Sequence, residues 1–163
     1  MDKGKTAYNL RNCAYMQEFQ KEKIIYPETT QGAYFAYDNK GIFLEKTGFL
    51  LIGENLKYLL GLLSSSLITY YYKNFSQGCK LGAKAYQYNK HALEKLPIPK
   101  INSTNQKTAD ELVNLVDAIL KAKEKNKNAN IQEFENKIDA LVYKLYNLND
   151  NEINLIENNK WLF

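Results

Sequence analysis

The chain has 163 residues, 45% of them hydrophobic, which suffices for one domain with its own core, or for a domain with a helical appendage. Two cysteines without a Cys-x-x-Cys pair and a single histidine, His91, exclude a disulfide framework and a thiolate–imidazole zinc site, and make a reduced, cytoplasmic setting the default. The net charge of +4 is unevenly placed: residues 1–54 carry seven bases and seven acids, residues 94–163 ten bases and eleven acids, and residues 55–93 five lysines and no acid.

The polar start, residues 1–12, reads as a tail or a connection, and Met1 to Tyr15 lacks the apolar run of a signal peptide. Ala14 to Gln20 is expected as a short helix. Lys23 to Tyr26 is β-rich and stopped by Pro27, so it reads as a strand. Ala33 to Tyr37 is expected as a second strand, Asp38-Asn39-Lys40-Gly41 as a turn, and Ile42 to Glu45 as the returning strand of a hairpin. Phe49 to Ile52 is a fourth strand, and the set makes a small, mostly antiparallel sheet.

Asn55 is placed to cap a helix whose leucines, Leu56, Leu59, Leu60 and Leu63, follow helical spacing. Gly53, Glu54, Asn55 and Lys57 make this region too polar to span a bilayer. Leu67 to Phe75 resumes as a second helix. Ser76 to Gln87 holds Gly78 and Gly82 and reads as an ordered loop or short strands; Asn89 to Leu96 is a short helix, and Pro97 and Pro99 then enforce an extended path.

Composition shifts after Ile101. Ser103 with Gln106, and Thr108 with Glu111, fit the capping-box pattern at the start of a helix. Helices at about 105–125 and 131–148 are expected to pack as a hairpin through Leu112, Leu115, Val116, Ile119, Phe134, Ile138, Leu141 and Leu145. The stripe also suits docking on a partner, with Tyr143 and Tyr146 beside it. Asn149 with Glu152 opens a short last helix. The fold class is therefore α+β: a body over residues 1–102 and a helical hairpin or spacer over residues 103–163 that packs on the body or on a partner domain.

The acid-free stretch is the candidate binding surface. Lys57, Lys73, Lys80, Lys84 and Lys90 sit among tyrosines and amides, a composition suited to a polyanion. The alternative is that the run arises by chance in a lysine-rich chain, with Lys57 and Lys90 merely solvated helix positions. Enzyme signatures are missing: there is no Gly-x-Gly for a dinucleotide or S-adenosylmethionine loop, and His91 has no nucleophile motif around it. Glu28, Asp38 and Lys40 have the residue types of a metal-dependent nuclease, but Asp38 to Gly41 has a sufficient role as a turn. No catalytic and no metal-binding residue is assigned.

Four segments in order carry a family resemblance. They are Lys23-Ile24-Ile25-Tyr26-Pro27, Leu59 to Leu67 (LLGLLSSSL), Leu93 to Pro99 (LEKLPIP), and Ile138 to Leu148 (IDALVYKLYNL) with Glu152-Ile153. Together they resemble the TaqI-like C-terminal specificity, or target-recognition, domain of type II DNA methyltransferases and fused restriction–modification enzymes, and are similar to one half of a type I specificity subunit. The resemblance implies adenine-N6 methylation of DNA by the parent enzyme, sometimes coupled to cleavage. The family's catalytic Asn-Pro-Pro-Tyr motif is absent, since the three prolines are Pro27, Pro97 and Pro99. The chain is thus expected to be a fragment that carries specificity without catalysis, with Met1 at a cut rather than a natural start. It would need no cofactor of its own; S-adenosylmethionine, and Mg2+ where a nuclease is fused, would serve the parent.

The expected partners are double-stranded DNA, a methyltransferase catalytic domain and, through the hairpin, a second copy; no membrane is expected. The expected DNA-binding residues are Lys73, Gln77, Lys80, Lys84, Tyr86, Gln87, Tyr88, Asn89 and Lys90. Lysines would fix register on phosphates, and amides would read base edges. Of Tyr86 and Tyr88, one is expected at the interface and the other in the core. The alternatives are a protein-interaction module, with the basic loop on an acidic partner and the hairpin dimerising, and a stand-alone metal-dependent nuclease.

Overall fold

The computed structural model describes residues 14–76, 80–81 and 85–159. β1 (Lys23–Pro27) is the middle strand of an antiparallel sheet, flanked by β3 (Ala36–Asp38) and β4 (Gly48–Leu51). Ile24 faces Tyr37 on one side and Leu51 on the other, and is wholly buried. A second antiparallel sheet has the order β2-β6-β5, from β2 (Thr29–Thr30), β5 (Lys80–Leu81) and β6 (Ala85–Gln87). Glu28 links the two: its amide donates to the Thr47 carbonyl at 2.9 Å, and its carbonyl accepts from the Tyr88 amide at 2.8 Å.

The expected hairpin from Asp38 to Glu45 does not form. Asp38 turns inward to an ion pair with Lys23, both side chains being inaccessible to solvent. Its carboxylate also accepts from the amides of Lys40 (2.8 Å) and Ile42 (2.9 Å). These donors are therefore committed to a side chain rather than to a strand partner. Gly41 sits at φ 74°, and Ile42 and Phe43 emerge exposed. The sheet's third position is taken by β4 instead.

α1 (Leu56–Leu63) follows Asn55, which adopts the left-handed conformation at φ 53° and makes no side-chain cap; only its carbonyl enters the helix, accepting from the Leu59 amide. Asparagine tolerates this conformation, which is why it suits the position without capping it. α2 (Ser66–Phe75) is capped by Ser65, whose hydroxyl accepts from the Ile68 amide at 3.3 Å. α3 (Lys90–Leu93) is a single turn capped by Asn89. α4 (Gln106–Lys125) opens on Asn102 and Asn105, which bond the nearby backbone, rather than on the boxes expected at Ser103 and Thr108. α5 (Gln132–Leu145) and α6 (Asp150–Asn159) follow, and the expected Asn149–Glu152 box is present, each side chain accepting from the other's amide at 2.8 and 3.1 Å.

The architecture is α+β, and one apolar core runs through it from Ile24 and Tyr26 by Leu60 and Leu62 to Leu112, Val116, Ile138 and Val142. α4 lies directly on α1. A Cβ on Gly61 would stand 2.9 Å from Leu112 Cγ, so only glycine allows this approach. Lys57 on α1 binds Asp117 on α4 at 2.6 Å. Asp139 on α5 accepts from the Ser66 amide and hydroxyl, both at 2.7 Å, so a distant carboxylate satisfies the start of α2. The Leu96–Pro99 segment is held from both sides: Tyr58 donates to the Pro99 carbonyl at 3.0 Å and Tyr146 to the Pro97 carbonyl at 2.9 Å.

Candidate nucleic-acid interface

β6 organises the candidate surface, because successive residues on a strand face opposite ways. Tyr86 and Tyr88 lie two apart and so share a face, and both are buried, at 2% exposure each. The expectation that one would reach the interface is corrected by this period. Their rings join Tyr72, Phe35 and Tyr26: Tyr88 lies 4.7 Å from Phe35 and 4.8 Å from Tyr72, and edge-on to Tyr26 at 6.0 Å. The Tyr86 and Tyr88 hydroxyls meet at 3.2 Å. Tyr72 donates to the Gln87 carbonyl at 2.8 Å and accepts from the Asn89 amide at 3.3 Å, so the aromatic layer fixes the β6 backbone from below. Burial pushes the Tyr86 and Tyr88 phenols above the ordinary tyrosine value.

Lys73 belongs to this inner layer. It is 6% exposed, with Nζ 4.8 Å from the centre of the Tyr86 ring. Burial brings its ammonium down to about 8. Here it is part of the scaffold under β6 and does not reach the surface.

The outer side of β6 is different. Gln87 is half-buried, and its Nε2 donates to Glu28 Oε1 at 2.6 Å. That bond fixes the plane of the amide and leaves its second N–H and its carbonyl oxygen to other partners. Exposed Thr29 pairs with Gln87 across the sheet. Lys80 is exposed on the edge strand β5. Beyond β6, Asn89 is half-buried and its Oδ1 is used by the Ala92 amide at 2.8 Å. Lys90 and His91 are exposed on α3, with Lys90 Nζ 3.6 Å from Glu94. Gln77 and Lys84 lie outside the described residues. Of the expected set, Lys80 and Lys90 are exposed and Gln87 and Asn89 half-buried, while Lys73, Tyr86 and Tyr88 are buried; Lys80 stands opposite Tyr86 in the ladder, so its side chain leaves the sheet on the face opposite to that of Gln87.

Glu28, Asp38 and Lys40 have separate partners. Glu28 is engaged with Gln87, Asp38 with buried Lys23, and Lys40 lies in solvent 3.8 Å from Glu124. For Asp38, burial raises the carboxyl pKa, but the Lys23 ammonium and the two amide donors outweigh it and hold it below the ordinary value. Among the described residues no three His, Cys, Asp or Glu side chains cluster as a metal site. Sequence reasoning missed Glu28 as the residue that orients Gln87, and missed β2 altogether. The signal available was Thr29-Thr30, a β-branched pair directly after Pro27.

Residues 3–98 match the TaqI-like C-terminal specificity domain. The chain belongs to this family. The family supplies DNA recognition in restriction–modification enzymes, and the match spans both sheets, α1 to α3 and the start of the Leu96–Pro99 segment. The specificity domain thus contains the whole outer face of β6, while α4 to α6 lie beyond the matched residues. Among the described residues no helix is long and apolar enough to cross a membrane.

Proposed function

We propose that this chain is the target-recognition part of a type II restriction–modification enzyme that methylates adenine N6 in DNA, with or without a fused endonuclease, in the cytoplasm. The observation that carries the reading is the specificity-domain match over residues 3–98. The chemistry, with S-adenosylmethionine as methyl donor and Mg2+ where cleavage is coupled, is assigned to the parent's catalytic domain and not to any residue of this chain.

The outer face of β6 is the proposed reading head. An amide held at a fixed angle can pair bidentately with adenine in the major groove through one N–H and one carbonyl oxygen. Gln87 retains both after its bond to Glu28. Lys80 and Lys90 supply phosphate contacts that set the register, together with Lys84. Asn89 shapes the end of the strand as the α3 cap. Lys73, Tyr86 and Tyr88 act indirectly, by keeping β6 flat and fixed under the groove.

The test is duplex binding by the intact chain, followed by competition. A randomised duplex pool should enrich one sequence, and unlabelled duplex of that sequence should compete better than scrambled duplex. With about three phosphate contacts, log affinity should fall against log salt with a slope of about −3. Equal competition by scrambled and enriched duplexes would contradict the reading and favour a protein-interaction module instead.

A further inference from the structure

The outward side of the α4–α5 hairpin carries a second surface. A shallow groove of about 560 Å3 runs between the two helices, away from the body. Its α4 lip is Glu111, Asn114 and Leu115; its α5 lip is Lys137, Ala140, Leu141 and Lys144. These positions repeat at three or four residues, so each lip is one helix stripe, adjacent to the buried seam of Leu112, Val116, Ile138 and Val142. The floor is apolar and the ends are charged. Lys137 is already engaged by Glu133 at 2.6 Å. Glu111 and Lys144 are exposed, and neither forms an ion pair among the described residues.

We infer that this groove is a two-fold interface with a second copy of the chain. The two helices run antiparallel, so Glu111 near the start of α4 and Lys144 near the end of α5 stand on opposite lips at the same end of the groove. A two-fold axis along the groove lays each α4 on the α5 of the other copy and keeps the ends level. That single operation sets Glu111 against Lys144 of the second copy, twice, and Leu115 over Leu141. A surface that is complementary to itself under one rotation is what an isologous dimer requires. The result is a four-helix bundle in which each helix has antiparallel neighbours.

The size of the face sets the strength. α5 is about 21 Å long and a helix pair about 20 Å wide. The buried area is then on the order of 1,000 Å2 in total, the low end for a specific interface. The dimer should therefore dissociate on dilution.

The test is sedimentation of the intact chain over a dilution series, with circular dichroism to confirm folding. The expected result is a reversible monomer–dimer equilibrium. Ala140→Glu, at an exposed position that the core does not use, should weaken it by at least about tenfold. Glu111→Lys and Lys144→Glu should each weaken it, and the two together should restore it. A chain that stays monomeric throughout, a folded Ala140→Glu variant that dimerises as before, or a double variant no better than either single one would each overturn the interface.

Discussion

Lys73 and Lys80 stand seven residues apart in the same acid-free stretch and end in opposite surroundings. Lys73 lies under β6 against the Tyr86 ring, while Lys80 projects from the edge strand. β6 and the residue that follows it repeat the contrast one residue at a time, with Tyr86 and Tyr88 inward and Gln87 outward. Charge along a chain is therefore not charge on a surface. Lys57, which a linear window counts as unopposed, binds Asp117 from a helix sixty residues further on. The exposed positive charge that remains among the described residues of the stretch is smaller than the sequence suggests: Lys80 on the edge strand, and Lys90 on α3 with Glu94 beside it.

The largest effect should come from breaking the inner side. Lys23 and Asp38 form a buried pair, and Lys23→Met would leave a carboxylate without its cation. Urea unfolding should show a loss of about 3–5 kcal/mol. The same pair sets the acid limit: Asp38 titrates below its ordinary 3.8, so its stabilisation is complete above that pH and is lost as pH falls through the lowered folded value.

At the hairpin, Phe134→Ala should lose about half of the roughly 3–5 kcal/mol typical of a fully buried phenylalanine, because Phe134 is only half-buried. Equilibrium denaturation would register the difference. A full-sized loss would place Phe134 in the seam after all.

Part of what local chemistry decides was legible in the sequence, although the caps expected of Asn55, Ser103 and Thr108 and the strand expected at Ile42 to Glu45 do not form. β1 follows from Lys23 to Pro27, the helices from leucine spacing, and the Asn149–Glu152 box from its two residues. What could not be read depends on partners far away. Asp38 looks like a turn residue until Lys23 meets it across the sheet. Gln87 looks like any loop amide until Glu28 arrives from β2's approach, and Ser66 gives no sign that Asp139 will satisfy its amide. Tyr86 and Tyr88 could have been assigned to one face from period two alone, but which face is buried is decided by Tyr72 and Phe35.

Two lysine variants sharpen the contrast on DNA. Lys80→Ala should weaken binding to all duplexes alike and reduce the salt slope by about one unit, with stability unchanged within about 0.5 kcal/mol. Lys73→Met should leave the slope as it is. Equal slope changes for both would mean that the inner layer opens on binding.

A smaller effect distinguishes Lys73 by pH. The folded chain releases the Lys73 proton near about 8, while the unfolded chain holds it to 10.5. Between these values the unfolded state binds more protons, so stability should rise with pH, until tyrosines of the unfolded chain begin to ionise near 10.0. Lys73→Met should remove that rise, as measured by urea midpoints from pH 7.5 to 9.5, roughly the interval this linkage covers.

The central claim is that the outer face of β6 chooses the DNA sequence. Binding-site selection with the intact chain and with Gln87→Ala tests it most directly. The account predicts that both proteins keep the same salt slope, that the wild-type chain enriches one sequence, and that Gln87→Ala loses discrimination at one base pair, by about 1–3 kcal/mol, while keeping the others. An unchanged selected sequence in Gln87→Ala would contradict it.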